Sequence, residues 1–136
     1  MGETSFLAET LYHKGLVPHF SFLTLQTVLI GKGEEMKRKV CFMFINGFYA
    51  KTPERKVLDM GQGEMIVVGV GSYDMACDEA SKLADEGVIM IELCGGFGTM
   101  GHAKVTEAVK DRCKVGVVRF DNHPGYDDIS GDQKWK

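Results

Sequence analysis

The chain has 136 residues, enough for one domain with a single modest core. Its hydrophobic fraction of 44% and charged fraction of 26% are those of an ordinary globular protein. A formal net charge of -3 without any basic segment gives no electrostatic case for nucleic acid as a partner. The four cysteines are far apart and include no Cys-x-x-Cys pair, which favours reduced thiols over a disulfide framework or a zinc site.

The first 35 residues differ in character from the rest. The apolar stretch 16–30 is too short and too interrupted by polar residues to span a bilayer, and the acidic start does not fit a signal peptide. The segment 31–35, Gly-Lys-Gly-Glu-Glu, stands directly before Met36 and can be encoded by a purine-rich run like a bacterial ribosome-binding site. We therefore expect residues 1–35 to be a translated leader or a peripheral arm, and residues 36–136 to form a single α/β domain.

From Met36 onward the pattern predicts strands and helices in alternation. The apolar run near 39–46 is typical of a strand buried on both faces. The sequence Thr-Pro-Glu-Arg at 52–55 has the N-cap, proline and acid of a helix start, and predicts a helix over 52–60. A second strand near 65–71 precedes a helix that Ser72 or Asp74 would cap.

Two more strands, near 88–94 and 114–120, enclose a helix over 99–112, and a polar tail follows. This alternation predicts an α/β fold with right-handed crossovers and helices on both faces of the sheet. The expected form is a small three-layer sandwich of flavodoxin or Rossmann type, with a four-stranded, mostly parallel sheet in the order 2-1-3-4. A ferredoxin-like α+β fold is the alternative if 52–60 is not a helix.

A glycine-rich turn over 94–98 lies between a predicted strand and a predicted helix. Backbone N–H groups at such a turn, beside the positive end of a helix dipole, form an anion site. In the predicted sheet order the turn also lies at the switch point, where ligands bind outside the carboxyl ends of the strands. We expect a small anionic metabolite to bind there, held by Asn46, Gly95, Gly96, Gly98, Thr99, Arg119 and Asp121.

The same turn has other interpretations. Residues 96–101 fit the dinucleotide fingerprint G-x-G-x-x-G, and residues 92–98 resemble the loop of Rossmann-type methyltransferases, so a nucleotide or S-adenosylmethionine is an alternative ligand. Only one predicted strand follows the motif, which leaves no second mononucleotide half and favours a smaller anion. The glycines could also serve only to make a tight turn.

A small enzyme is the alternative to a binding protein. Cys94 lies where a helix N-terminus would favour the thiolate, although Glu92 opposes this by charge repulsion. The catalytic candidates are Cys94 as nucleophile, Glu92 as acid or base, and His123 as a base, with His102 as another possible base. The simpler interpretation, that Cys94 is a small buried residue, is favoured over a nucleophile. The sequence assigns no metal and identifies no cofactor, since the acids and histidine of the tail are also ordinary turn residues.

Glu92 and Arg119 are expected at the carboxyl ends of neighbouring parallel strands. A carboxylate and a guanidinium at that spacing should form a charge-assisted pair. We predict that this pair, capped by His123, shares one pocket with the turn at 95–98.

Five blocks give the chain a resemblance to a known family. They are Ile-Glu-Leu-Cys-Gly-Gly-Phe-Gly (91–98), Ala-Lys-Val (103–105), Val-Gly-Val-Val-Arg-Phe-Asp (115–121), His-Pro-Gly (123–125) and Ser-Gly-Asp (130–132). Together they resemble a family of small bacterial proteins classed only as a domain of unknown function, over about residues 38 to 132. The resemblance implies a cytoplasmic α/β protein that is complete without residues 1–35, and it implies no activity.

The expected partners follow from these points. The small anionic molecule is the expected ligand, and neither nucleic acid nor a membrane is expected as a partner. An open sheet leaves two unpaired edges, and small domains commonly cover such edges by pairing. We therefore expect a homodimer.

Overall fold

A five-stranded sheet with three helices forms the part of the chain that the computed structural model describes, residues 37–135. The expected leader at 1–35 lies outside these residues. The strands are β1 (Arg38–Ile45), β2 (Glu54–Asp59), β3 (Gly63–Val70), β4 (Val88–Leu93) and β5 (Lys114–Val117). The helices are α1 (Tyr73–Asp85), α2 (Thr99–Val109) and the short α3 (Gly131–Lys134), and single 3-10 turns lie at Gly47–Tyr49 and Pro124–Tyr126.

The strand order in the sheet is β2-β3-β1-β4-β5. Strand β1 pairs in parallel with β3 and β4, and β4 pairs in parallel with β5, whereas β2 runs antiparallel to β3. The predicted α/β class is confirmed. A sheet of four strands in the order 2-1-3-4 is wrong as a description of the whole sheet, because a fifth strand, β2, runs antiparallel at one edge. The four predicted strands themselves stand in the order β3-β1-β4-β5. The antiparallel sheet of the ferredoxin-like alternative is not found either, since three of these four pairings are parallel.

The segment predicted as a helix over 52–60 contains β2. The chain turns into β3 through Gly61, whose φ of +78° suits glycine and whose N–H donates to Asp59 Oδ1 at 2.8 Å. On the other side of the strand Arg55 reaches α1, where its Nε donates to the buried Glu79 at 2.7 Å. Pairing with β3 and this ion pair outweigh the local helix-start signal of Thr-Pro-Glu, because propensity is weaker than tertiary context.

Residues 37–135 form two layers, so the three-layer sandwich with helices on both faces that was predicted for this domain is wrong. The crossovers β3–α1–β4 and β4–α2–β5 move across the sheet in the same direction. Right-handed crossovers in one direction place their helices on one face, and both helices share a single core with the sheet. Within these residues, the connection that could place a helix on the other face is the one from β1 to β3, and it contains β2 instead.

Side chains that alternate along the strands build this core. In β1 the inward residues Cys41, Met43 and Ile45 are buried, and in β4 the same holds for Ile91 and Leu93. The helices contribute a second set of buried residues, namely Ala76, Ala80, Leu83 and Ala84 from α1 and Val105 and Val109 from α2.

Helix α1 begins as the sequence predicts. The Ser72 hydroxyl accepts a hydrogen bond from the Met75 N–H at 3.1 Å, and Gly87 follows the helix with a φ of +87°. Within residues 37–135, no helix combines the length and apolar character needed to cross a membrane.

Candidate functional site

The glycine-rich turn after β4 is covered by the chain's own C-terminal segment, which we define as residues 119–135. Added side-chain atoms on the turn glycines would overlap residues of this segment. The pairs are Gly95 with the Phe120 ring, Gly96 with the Tyr126 hydroxyl, and Gly98 with the Asp132 carboxylate. The absence of a side chain at these glycines therefore allows the C-terminal segment to pack directly on the turn.

Asp132 lies at the N-terminus of α2, where the sequence predicted a ligand anion. Its carboxylate accepts hydrogen bonds from the backbone N–H groups of Met100 and Gly101, each at 3.1 Å. Gly98, the N-cap residue, has no side chain to cap the helix, so Asp132 supplies the cap from a distant part of the sequence. The positive end of the α2 dipole is thus neutralised by the protein itself.

The environment of Asp132 favours its charged form. Partial burial raises the pKa of its carboxyl, but the hydrogen bonds from the α2 backbone and from Tyr73 lower the pKa by more, so that it lies below its ordinary value. Asp132 is therefore ionised at neutral pH. Two of its oxygen lone pairs are already occupied by backbone donors, and a diphosphate group would meet this carboxylate if it approached the turn as it does in dinucleotide sites.

Tyr73 joins the turn to the C-terminal segment. Its hydroxyl accepts from the Gly98 N–H and donates to Asp132 Oδ1, each at 3.0 Å. Burial raises the pKa of Tyr73 above its ordinary value, which keeps the hydroxyl protonated as the donor. Sequence reasoning missed both Tyr73 and Asp132. Their only signals were the position of Tyr73 after the Ser72 cap and the inclusion of Asp132 in the Ser-Gly-Asp block.

A pocket of about 320 Å³ lies beside the start of α2. It brings together four of the predicted ligand-binding residues, Gly98, Thr99, Arg119 and Asp121. The rest of its lining consists of Phe97, His102, Val117, Phe120, Ser130 and Asp132. The predicted residues Asn46, Gly95 and Gly96, and the catalytic candidates Cys94, Glu92 and His123, do not line it.

Arg119 is the cation of this pocket. Its side chain is 73% exposed, and its Nε donates to Asp121 at 2.7 Å. This hydrogen bond and the charge of Asp121 raise the pKa of Arg119. His102 projects from the first turns of α2, with its Nε2 at 3.3 Å from the Val115 carbonyl oxygen. The lining of the pocket therefore includes a guanidinium and an imidazole.

The predicted ion pair between Glu92 and Arg119 is wrong. Glu92 is exposed and lies beside Gly116 in the sheet, on the face away from α1 and α2. Its neighbours in β4, Ile91 and Leu93, point into the helical side, and side chains alternate along a strand. Arg119 lines the pocket beside α2 and pairs with Asp121. The two side chains thus lie on opposite faces of the sheet.

His123 stabilises a turn of the C-terminal segment instead of capping an ion pair. Its ring stacks on Tyr126 at 4.1 Å between centroids and lies 5.3 Å from the Phe120 ring. Its Nδ1 accepts from the Gly125 N–H at 3.1 Å. Asn46 has a similar local role after β1, where its Oδ1 accepts from the Phe48 N–H at 2.9 Å.

Cys94 is half-buried at the start of the turn, and its sulfur accepts a hydrogen bond from the Gly96 N–H at 3.3 Å. Among residues 37–135, neither His102 nor His123 hydrogen-bonds this thiol; each uses a ring nitrogen on the backbone. The described residues thus form no assembled pair of nucleophile and base at Cys94. The described residues also contain no group of three or more His, Cys, Asp or Glu side chains placed to hold a metal ion.

Comparison with known proteins places the chain in a family without an assigned activity. Residues 38–133 match the family of unknown function DUF6506, and the chain belongs to that family. This match confirms the inference from the sequence that the chain belongs to a family of unknown function. No curated protein and no solved structure matches the chain. Any statement of function therefore rests on the pocket and the surfaces of this protein.

Proposed function

We propose that this protein binds a small anionic metabolite in the pocket between α2 and the C-terminal segment, with Arg119 as the main anion-binding group. The observation that supports this is the convergence of an exposed guanidinium, an imidazole and two hydroxyl-bearing residues, Thr99 and Ser130, on one concavity. The proposed anion site differs from the backbone site expected from the sequence, because Asp132 already occupies the N–H groups of α2.

The chemistry of Arg119 supports this assignment. A guanidinium has five N–H donors, and the pairing with Asp121 uses its Nε and leaves the terminal nitrogens for a ligand. The terminal nitrogens of a guanidinium can bind a carboxylate or phosphate in a bidentate manner. The hydroxyl of Thr99 can donate to the same anion, whereas the hydroxyl of Ser130 already donates to Gln133 Oε1 at 3.2 Å.

The lining also restricts the ligand. A volume of about 320 Å³ lies at the lower end of the range for small-molecule pockets. Two carboxylates, Asp121 and Asp132, lie in the same lining and would repel a polyphosphate. We therefore favour a small mono- or dicarboxylate, or a monophosphate, that also carries a hydroxyl or amino group to donate to Asp132. No observation favours catalysis by Cys94 or Glu92, so we propose a binding function.

Isothermal titration calorimetry with succinate, malate, inorganic phosphate and glycerol 3-phosphate tests the proposal. We expect at least one of these probes to bind, and Arg119→Gln to weaken that binding about ten-fold or more, because a charge-assisted contact is lost. Arg38→Gln is the matched control, since Arg38 is exposed at the start of β1, away from the residues that line the pocket. The proposal is refuted if all four probes fail to bind. It is also refuted if Arg119→Gln and Arg38→Gln bind the probe with the same affinity.

A further inference from the structure

The charges that line the pocket restrict its ligand further than the guanidinium alone does. Among the described residues, the charged side chains of the lining are Arg119, Asp121 and Asp132. One positive and two negative charges leave a formal excess of negative charge. The N-terminal end of α2 adds about half a positive charge next to Asp132 and offsets this excess only in part. The lining is therefore negative as a whole, although it contains a cation.

The side-chain hydrogen-bond donors of the lining are few. The neutral imidazole of His102 has one N–H group, which lies on Nε2 because the Val115 carbonyl oxygen at 3.3 Å can only accept. The Ser130 hydroxyl already donates to a glutamine of α3. A ligand therefore finds side-chain donors at the terminal nitrogens of Arg119 and at the Thr99 hydroxyl.

Acceptors are more numerous in the same lining. Asp121 uses Oδ1 on Arg119 and keeps Oδ2, since no other hydrogen bond to this carboxylate occurs in the described part of the chain. Asp132 shares the Met100 N–H between its two oxygens, so that Oδ2 keeps lone-pair capacity. The Nδ1 atom of the neutral His102 ring is a further acceptor. The pocket is thus suited to a ligand that carries several donors on one group.

We propose that the ligand of this pocket is a small α-amino acid, whose carboxylate binds Arg119 and whose ammonium group faces Asp121 and Asp132. This inference rests on the anion site proposed above and adds the class of ligand. An ammonium group has three donors, no acceptor and a positive charge. It therefore matches both the negative charge of the lining and its surplus of acceptors, whereas a hydroxyl group supplies one donor and no charge.

The spacing of the charges in the pocket fits this class of ligand. Arg119 and Asp121 are in direct contact, with Nε and Oδ1 2.7 Å apart. In an α-amino acid the carboxylate and the ammonium group are attached to the same carbon atom, so that its two charges are also adjacent. The ligand can therefore place each of its charges beside the opposite charge of this pair. A dicarboxylate without an amino group has no cation to place beside Asp121.

The apolar part of the lining contributes contacts that do not depend on charge. It consists of Phe97, Val117 and Phe120. Apolar contacts of this kind favour the carbon skeleton of a ligand, whatever polar substituent the skeleton carries. We therefore assign the choice between an amino group, a hydroxyl group and a hydrogen atom to the two carboxylates.

Three four-carbon dicarboxylates that differ only at the second carbon test this inference on the full chain by isothermal titration calorimetry. Succinate has a hydrogen atom at that carbon, L-malate a hydroxyl group and L-aspartate an ammonium group. At pH 7 and low salt we expect L-aspartate to bind about ten-fold more tightly than succinate, with L-malate between them, because a charge-assisted contact is added.

The variant Asp121→Asn tests the carboxylate, since asparagine keeps the size of the side chain and an oxygen acceptor for Arg119. We expect it to weaken the binding of L-aspartate about ten-fold. The binding of succinate should be unchanged or tighter, because succinate has no cation and is repelled by the carboxylate. Asp128→Asn is the matched control, since Asp128 is exposed in the same C-terminal segment and does not line the pocket. It should leave both affinities unchanged.

The outcomes separate this inference from the anion site on which it rests. Succinate that binds as tightly as L-aspartate, with a loss of binding in Arg119→Gln, would overturn the amino-acid inference and leave the anion site in place. Equal effects of Asp121→Asn on the two ligands would also overturn the inference. If none of the three dicarboxylates binds, the inference is overturned, and the phosphate probes then decide whether the anion site exists.

Discussion

Replacing Asp132 by asparagine changes the cap of α2 while keeping the size and one oxygen acceptor of the side chain. The wild-type carboxylate accepts from the backbone N–H groups of Met100 and Gly101 and from the Tyr73 hydroxyl. A cap hydrogen bond contributes about 1 kcal/mol, and a negative charge at a helix N-terminus contributes about 0.3–1 kcal/mol. We therefore expect Asp132→Asn to lower the free energy of unfolding by about 1 kcal/mol and Asp132→Ala to lower it by about 2–3 kcal/mol.

Urea denaturation at pH 7, followed by far-UV circular dichroism, measures this difference. With a urea m-value of about 1 kcal/mol/M for a domain of this size, Asp132→Asn should shift the midpoint by about 1 M. Asp111→Asn is the matched control, because Asp111 is exposed in the turn after α2 and should leave the midpoint unchanged.

The pH dependence of the same experiment tests the charge of Asp132 separately. Its folded-state pKa is lowered, so its stabilising contribution is present above the pKa of the unfolded state, about 4, and is lost as the pH falls through the lower folded value. The difference between wild type and Asp132→Asn should therefore shrink between pH 5 and the acid limit of folding. Equal stabilities at pH 7, or a difference that does not change down to the lowest pH at which both fold, would refute the capping role.

Three further outcomes follow from the packing. Gly95→Ala should destabilise the protein by about 2 kcal/mol or more in thermal unfolding, because its Cβ would overlap the Phe120 ring. Gly116→Ala, whose Cβ would have nothing within 4 Å, should show no such loss, and equal losses for the two variants would contradict this account. Glu79→Gln should cost about 1–3 kcal/mol in urea denaturation, because it weakens a buried contact to Arg55, and a neutral effect would contradict the role given to that pair. Burial raises the pKa of Cys41 to about 12, so iodoacetamide at pH 8 should label it only after unfolding, and rapid labelling of the native protein would contradict its burial.

Local sequence signals predicted the elements whose cause is local. Ser72 caps α1, and the continuous apolar run of β1 forms a central strand between two parallel neighbours. The signal at 52–60 was also local, but pairing with β3 and the contact from Arg55 to α1 decide the structure there. The helix-start pattern at residues 52–55 contains no information about β3 or α1, with which this segment makes those contacts.

The candidate site also combines features that the local sequence predicts with features that depend on distant contacts. The position of the turn after β4 and its place beside Arg119 were predictable from the order of the elements. The face of the sheet on which Glu92 lies depends on strand parity, and one residue of register separates the side of the pocket from the face away from α1 and α2. The role of Asp132 depends on a contact between residues 31 positions apart in the chain, for which the sequence offers no periodicity.

The packing of the C-terminal segment on the glycine turn has a consequence for how variation in this family should be interpreted. An alanine in place of Gly95 is tolerable only if the residue at position 120 becomes smaller. An alanine in place of Gly98 is likewise tolerable only if the residue at position 132 becomes smaller. Substitutions in the glycine turn and in the C-terminal segment should therefore appear together among relatives. An invariant glycine motif in such an alignment would then report the fit between two parts of one chain, and would not by itself be a sign of a bound nucleotide.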